Sequence, residues 1–210
     1  KLDDKVYCWG DSPNGGVTPS PAIAAKSLHS THFSICAVKA DNTVQCWGDT
    51  NYGGVTPSPV ITASGLSGGS QAICALKKPG LVEPPNIICW GYNGQGQAPP
   101  EGISGSFTQL ASGFDSSCAI KANGDAQCWG NNANFQAPAS VAGPFTQISA
   151  GYSVHTCAIK ANGDAQCWGN NGNGQAPASV TGPFTQIGAG QDHSCALKTN
   201  GDVQCWGLNT

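Results

Sequence analysis

Short segments in which apolar and polar residues interleave recur along the chain, each bounded by Gly, Pro or Asn. Three are near copies, FTQLASG, FTQISAG and FTQIGAG at 107–113, 145–151 and 184–190. Each is followed by a Cys-Ala-Ile/Leu-Lys segment and then by Cys-Trp-Gly. Segments this short, punctuated by turn residues, predict β-strands and not helices. The pattern recurs at a nearly constant spacing. Cys-Trp-Gly occurs six times, at Cys8, Cys46, Cys89, Cys128, Cys167 and Cys205, with spacings of 38, 43, 39, 39 and 38 residues. All six tryptophans, Trp9, Trp47, Trp90, Trp129, Trp168 and Trp206, sit in these triplets. CAIKANGDAQCWG is repeated without change at 118–130 and 157–169, and GGVTPSP at 15–21 and 53–59. The chain is a tandem array whose units end near 48, 91, 130, 169 and 207, with an extra strand over 6–10.

The remaining cysteines, Cys36, Cys74, Cys118, Cys157 and Cys195, each precede a Cys-Trp-Gly, by 10 residues in four cases and by 15 from Cys74 to Cys89. Ala122-Asn123-Gly124 reads as a three-residue hairpin loop ending on a left-handed glycine. Counting outward pairs Lys121 with Asp125, Ile120 with Ala126, Ala119 with Gln127 and Cys118 with Cys128. The cysteines thus fall opposite each other, within bridging distance. The same count pairs Lys160 with Asp164 and Lys198 with Asp202, and Asn42 takes the glycine position in the first hairpin. The longer version carries an insertion around Pro79 to Pro85. Disulfides are expected at Cys36–Cys46, Cys74–Cys89, Cys118–Cys128, Cys157–Cys167 and Cys195–Cys205.

With the FTQ segment each unit has three strands, and four if the Gln-Ala-Pro segment pairs. A sheet that small cannot bury both faces, so the units must stack. Antiparallel units of about this length favour a ring over a solenoid. The expected fold is an all-β propeller of five to six short antiparallel blades, forming one domain over 1–210.

Composition narrows the chemistry. Hydrophobic residues make up 39% and charged residues 10%, against roughly 25% charged in an ordinary soluble domain. The net charge is −3 with no basic stripe, which argues against nucleic acid, since that affinity comes from Lys and Arg displacing counterions. No apolar run reaches the roughly 18–20 residues of a membrane span, so no membrane insertion is expected. Eleven cysteines without a Cys-x-x-Cys pair point to disulfides and a secreted, extracellular setting. A chain opening at Lys1 reads as a processed product.

The stretch SAG…HTCAIKANGDAQCWGNN…Q at 149–175 resembles the regulator-of-chromosome-condensation repeat family. It is most similar to its secreted, Cys-rich variety, including repeats in ectodomains of plant crinkly-type receptor kinases. The resemblance covers about residues 6–207. It implies a propeller, typically of seven blades, that serves as a recognition scaffold. This chain departs in number, with five complete hairpins and one spare strand. The chromatin and nucleotide-exchange roles of the nuclear namesake are not implied.

Cys8, on the lone strand Val6-Tyr7-Cys8-Trp9, has no counterpart. Either the ring closes with a spare strand, or the chain is part of a longer array, or another molecule supplies the pair. Six tryptophans at one register can form a stacking platform, but repetition beside a disulfide is what blade packing demands. The loops after Cys-Trp-Gly repeat amides with an occasional ring: Asp11, Asn14, Asp49, Asn51, Tyr52, Tyr92, Asn93, Asn131, Asn132, Asn134, Asn170, Asn171 and Asn173. Such groups suit neutral hydroxyl-rich ligands, and they also simply build turns. His155 and His193 occupy equivalent places and read as hydrogen-bonded packing. His29 and His32 lack a third ligand, so no metal and no cofactor is expected. Gly65-Leu66-Ser67-Gly68-Gly69 matches a nucleophile-elbow string in the wrong setting. The chain has no N-glycosylation sequon, while Thr18, Ser20, Thr56 and Ser58, beside prolines, are candidates for O-glycosylation.

No catalytic constellation emerges. The expected function is non-enzymatic extracellular recognition of a glycan or protein through rim loops. The alternative is a structural subunit of a fibre or surface assembly, joined through the unpaired N-terminal strand. Inhibition of a secreted enzyme is a third, weaker option.

Overall fold

The computed structural model describes residues 6, 23–49, 60–77, 85–152 and 155–208. Cys8, the rest of the strand at 7–10, Asp11, Asn14, Thr18, Ser20, Asn51, Tyr52, Thr56 and Ser58 lie outside the described residues, as do residues 78–84 of the insertion. The described residues contain strands and no helix, and no helix is long and apolar enough to cross a membrane.

Fifteen strands form five three-stranded antiparallel sheets, the propeller-like blades that the periodicity implied. They are β1 (Ala25–Ser30), β2 (Ser34–Lys39) and β3 (Val44–Gly48); β4 (Ala63–Gly68), β5 (Ala72–Lys77) and β6 (Ile87–Gly91); β7 (Phe107–Ser112), β8 (Ser116–Lys121) and β9 (Ala126–Gly130); β10 (Phe145–Ala150), β11 (His155–Lys160) and β12 (Ala165–Gly169); β13 (Phe184–Ala189), β14 (His193–Lys198) and β15 (Val203–Gly207). Each sheet keeps sequence order, so every unit is a meander. The Gln-Ala-Pro segment adds no full fourth strand, only single bridges, Ala126 to Val141 and Ala165 to Val180. Its prolines have no N–H to offer a longer ladder.

The hairpin register is the counted one. Ile120 faces Ala126, Ala119 faces Gln127 and Cys118 faces Cys128. The loop is built by its own residues. Gly124 is left-handed at φ 90°, and its N–H donates to Lys121 O at 2.9 Å. Asn123 Oδ1 accepts from Asp125 N at 3.1 Å, and Asn123 Nδ2 donates to Asp125 Oδ2 at 2.8 Å. Asp125 Oδ1 then accepts from Gly143 N at 2.9 Å, tying the hairpin to the entry of the next sheet. In the first hairpin Asn42 holds the position at φ 69°. Because Lys121 N bonds Asp125 O, alternation makes Cys118 and Cys128 a non-hydrogen-bonded pair, the closer of the two kinds. All five hairpins are bridged, at Cys36–Cys46, Cys74–Cys89, Cys118–Cys128, Cys157–Cys167 and Cys195–Cys205, with Cα atoms 4.0–4.1 Å apart.

The described chain separates into two compact units, one of residues 1–94 and 98–105, the other of 95–97 and 106–210. In each, sheets stack in the same way. The face carrying the cystines meets the tryptophan face of the following sheet. In the first unit Cys36, Val38, Val44 and Cys46 pack with Ala63, Leu66, Ala75 and Trp90. In the second, Cys118, Ile120, Ala126 and Cys128 pack with Phe145, Ile148, Ala158 and Trp168. Ile159 and Ala165 in turn meet Phe184, Ala196 and Trp206. Small residues at the strand ends allow the close approach: a Cβ on Gly113 would lie 2.5 Å from Gly151 O. The cystine face of the last sheet is different. Cys157 and Cys167 are buried, whereas Cys205 is exposed and Val203 is 65% exposed.

His29 faces Cys36 across β1 and β2, and burial lowers its pKa from the usual 6.5. The unfolded chain therefore takes up this proton more readily than the folded one. The contribution is fully present above pH 6.5 and is lost as pH falls below it. Urea midpoints on either side of that pH should differ in this direction, and His29→Gln should reduce the difference. An unchanged difference would remove His29 as its source.

Candidate functional site: the amide and aromatic rim

Ser116 at the start of β8 faces Gly130 at the end of β9. The loop after Cys-Trp-Gly therefore emerges at the same end of the sheet as the turn between the first two strands. Asn131 N donates to Asp115 O at 2.9 Å, and Asn131 Nδ2 to Asp115 Oδ2 at 2.6 Å. This end is the candidate rim.

The predicted amides are brought to it, but most of their acceptors are already engaged. Asn131 Oδ1 accepts from Ala133 N and Asn132 Oδ1 from Ala137 N, both at 2.9 Å. Asn170 does the same with Gly172 N at 2.9 Å and Asn171 with Ala176 N at 2.8 Å. In the first unit Asn93 Oδ1 accepts from Ala98 N at 2.8 Å. Turn building thus accounts for these five. Asn134 and Asn173 differ: each is exposed and contributes its backbone N–H to the loop. Tyr92 is exposed in the first unit, and Asp49 is half-buried there, its N–H donating to Phe33 O at 2.9 Å.

The organising residue of each loop is one the sequence reading passed over. Gln97, Gln136 and Gln175 are buried, the last two completely. Gln136 Oε1 accepts from Asn134 N and Gln175 Oε1 from Asn173 N, both at 2.8 Å; Gln97 Oε1 accepts from Gln95 N at 2.9 Å. The backbone carbonyls of Gln97 and Gln175 receive the next sheet's tryptophan, Trp129 Nε1 to Gln97 O at 3.2 Å and Trp206 Nε1 to Gln175 O at 3.1 Å, whereas Trp168 Nε1 makes no such bond to Gln136. Tryptophan as a link between sheets, rather than as a stacking platform, follows. The signal available in the sequence was an identical spacing of Gln behind three of the six Cys-Trp-Gly triplets, those at Cys89, Cys128 and Cys167. Ser194 Oγ also donates to Gln175 O at 3.2 Å and lies 2.8 Å from His155 Nε2. His155 is thus a packing residue, 1% exposed, whereas His193 on the last sheet is exposed.

Two aromatic rings on this rim were also passed over. Phe114 and Tyr152 occupy the first turns of adjacent sheets, 38% and 45% exposed, in edge-to-face contact at 4.8 Å. The fold does not require aromatics there, since the last sheet has Gln191 at the same place. Among the described residues of the second unit, the charges at this end are Asp115 and Asp192, while Lys121, Lys160 and Lys198 close the strands at the opposite end. No group of three His, Cys, Asp or Glu among the described residues is arranged to hold a metal ion.

Comparison with known proteins agrees with this architecture. The regulator of chromosome condensation (RCC1) repeat matches residues 107–136, 145–175 and 184–210. The entire ectodomain of the receptor kinase CR4 from Physcomitrella patens is similar, with 27% identity and a TM-score of 0.74 over 89% of this chain and 52% of that one. The chain thus spans about half the length of that ectodomain. The CRINKLY WD40 ectodomain of the Arabidopsis thaliana receptor kinase ACR4 is 24% identical, with a TM-score of 0.69 over 96% of this chain and 72% of that one. Prp20p from Saccharomyces cerevisiae, a structure described together with its binding to Gsp1p and histones, is 20% identical, with a TM-score of 0.71 over 88% of this chain and 58% of its own. These last two likenesses concern the fold. No curated protein sequence matches the chain.

Proposed function

We propose, on the premise that the chain is a cysteine-rich protein built of RCC1-like repeats, that residues 1–210 act as a non-catalytic extracellular recognition module. The ectodomain neighbours and five disulfides suggest the extracellular setting. The ligand, a glycan or a protein, is taken at the rim formed by the first turns and the loops after Cys-Trp-Gly. The observation that carries this reading is the Phe114–Tyr152 pair: two exposed rings at a repeat position where a sister unit does with glutamine. The loops around them are held by internal hydrogen bonds, so little conformational entropy is lost when a ligand lands on them. The lysines and the balancing Asp125, Asp164 and Asp202 at the far end belong to the hairpin turns.

A glycan array and a pull-down from extracellular fluid, each run with the native chain and with Phe114→Ser/Tyr152→Ser, test the reading. Both residues are exposed, so the variant should fold. A ligand kept by the native chain and lost by the variant is the expected result. Silence in both assays, or binding that ignores the substitutions, would count against the rim.

A further inference from the structure

Phe135 lies in the loop after the Cys-Trp-Gly of Cys128 at φ 61°, and its side chain is 77% exposed. At the equivalent position of two sister loops stands glycine, Gly96 at φ 79° and Gly174 at φ 75°. The turn is the same: Phe135 N donates to Asn132 O and Gly174 N to Asn171 O, both at 3.1 Å. The backbone there is left-handed, a conformation that glycine adopts freely and a bulky residue does not. Nothing in the fold compensates the phenylalanine. A Cβ at Gly174 meets nothing within 4 Å, and one at Gly96 meets only Gly130 Cα at 3.9 Å, so the ring has open space around it and no core to enter. A large apolar side chain is therefore held out on a strained backbone where the repeat itself uses glycine. Strain retained without a packing return is characteristic of functional positions.

We infer that Phe135 is the anchor of the rim, a ring inserted into an apolar pocket of a protein partner. The inference rests on the rim reading above and narrows it to protein. A protruding ring fits a pocket, as aromatic anchors do at the centres of interfaces. Charge defines the surround of that pocket. The rim end of this unit carries Asp115 and Asp192 and, among the described residues, no lysine, so the complementary surface is basic. Phe114 and Tyr152, at the same end of the unit, supply ring faces that a Lys or Arg of that surround can lie against.

The test separates anchor from scaffold because the two predict opposite signs. Phe135→Gly relieves the strained backbone, so thermal unfolding of the variant should stay level or rise, by up to about 2–4 °C. The probe is a displayed library of small folded domains with a randomised concave face, selected on the native chain. Selected binders should carry an apolar pocket ringed by Lys or Arg and lose at least about tenfold in affinity against Phe135→Gly. A fall in unfolding temperature would make Phe135 structural and overturn the inference. So would binders that are acidic, binders indifferent to Phe135→Gly, or an empty selection. Binders lost with Phe114→Ser/Tyr152→Ser but kept with Phe135→Gly would leave the rim standing and remove the anchor. A glycan captured in a Phe135-dependent way would overturn the assignment to protein.

Discussion

Full reduction of the disulfides should unfold this protein. Each bridge closes a loop whose cysteines are 10 or, in one case, 15 residues apart, and on the chain-entropy estimate each contributes about 2–4 kcal/mol. Five such contributions match or exceed the roughly 5–15 kcal/mol net stability of an ordinary domain. The cores are too small to make up the loss. Between the last two sheets of the second unit the buried residues are Ile159, Ala165, Phe184 and Ala196 and, in an adjoining cluster, Cys157, Cys167 and Ala176, most of them small. Reduction should also proceed in order. Cys36, Cys74, Cys118 and Cys157 are each 0% exposed, so their bridges open to a thiol reagent only when sheets part. In the Cys195–Cys205 bridge, by contrast, Cys205 is exposed. Graded reduction followed by alkylation and peptide mapping should label Cys195 and Cys205 first, with strand circular dichroism kept until the buried bridges are lost. A fully reduced chain that retains its strand signal would refute the central role given to the bridges.

Gln175→Ala should lower the stability of the second unit by about 2–4 kcal/mol, as large for a polar residue as a leucine deletion in a core. The side chain is 0% exposed, and its Oε1 holds Asn173 N at 2.8 Å. Truncation leaves a cavity, unseats the loop and loosens the carbonyl that receives Trp206 Nε1 and Ser194 Oγ at 3.1 and 3.2 Å. Gln175→Leu separates the contributions, because it fills most of the volume and removes the acceptor together with Nε2, a buried donor with no hydrogen-bond partner; it should cost less than Gln175→Ala, about 1 kcal/mol. Urea unfolding followed by tryptophan emission reads both. Equal and negligible shifts would show that the glutamine merely occupies a surface loop. The same substitution at Gln136, also 0% exposed, should cost less, since Trp168 Nε1 makes no bond to its carbonyl.

The two effects come from different ranges of interaction. The bridge register was legible because a hairpin is local: three loop residues ending on Gly124 at φ 90° leave one way to count outward, and Cys118 then meets Cys128. The bulge at the start of each sheet was not legible. Phe145 faces Lys160 while Gln147 faces Ile159, so Thr146 is the extra residue. Its Oγ1 donates to Ile159 O at 3.3 Å. No local rule marks a threonine for that place, since the shift arises from fitting one strand to another across many residues.

The candidate site divides in the same way. The amide-rich loops were visible as composition, but whether an asparagine points to a ligand or to its own backbone depends on the fold of the loop. Asn132 and Asn171 turned inward to Ala137 N and Ala176 N, and Asn134 and Asn173 did not. The glutamines, weighed in the sequence only as part of a possible fourth strand, are core, since burial is set by the sheet that packs next and not by the residue's own character.

By itself the amino-acid order determined the repeat, the hairpin register and the pairing of ten cysteines, all of which follow from chain-local geometry. Tertiary structure alone decided which polar groups are buried, which rings stand free and which cysteines are exposed. Those depend on what a neighbouring sheet covers, and coverage is a property of stacking between units that no single unit encodes.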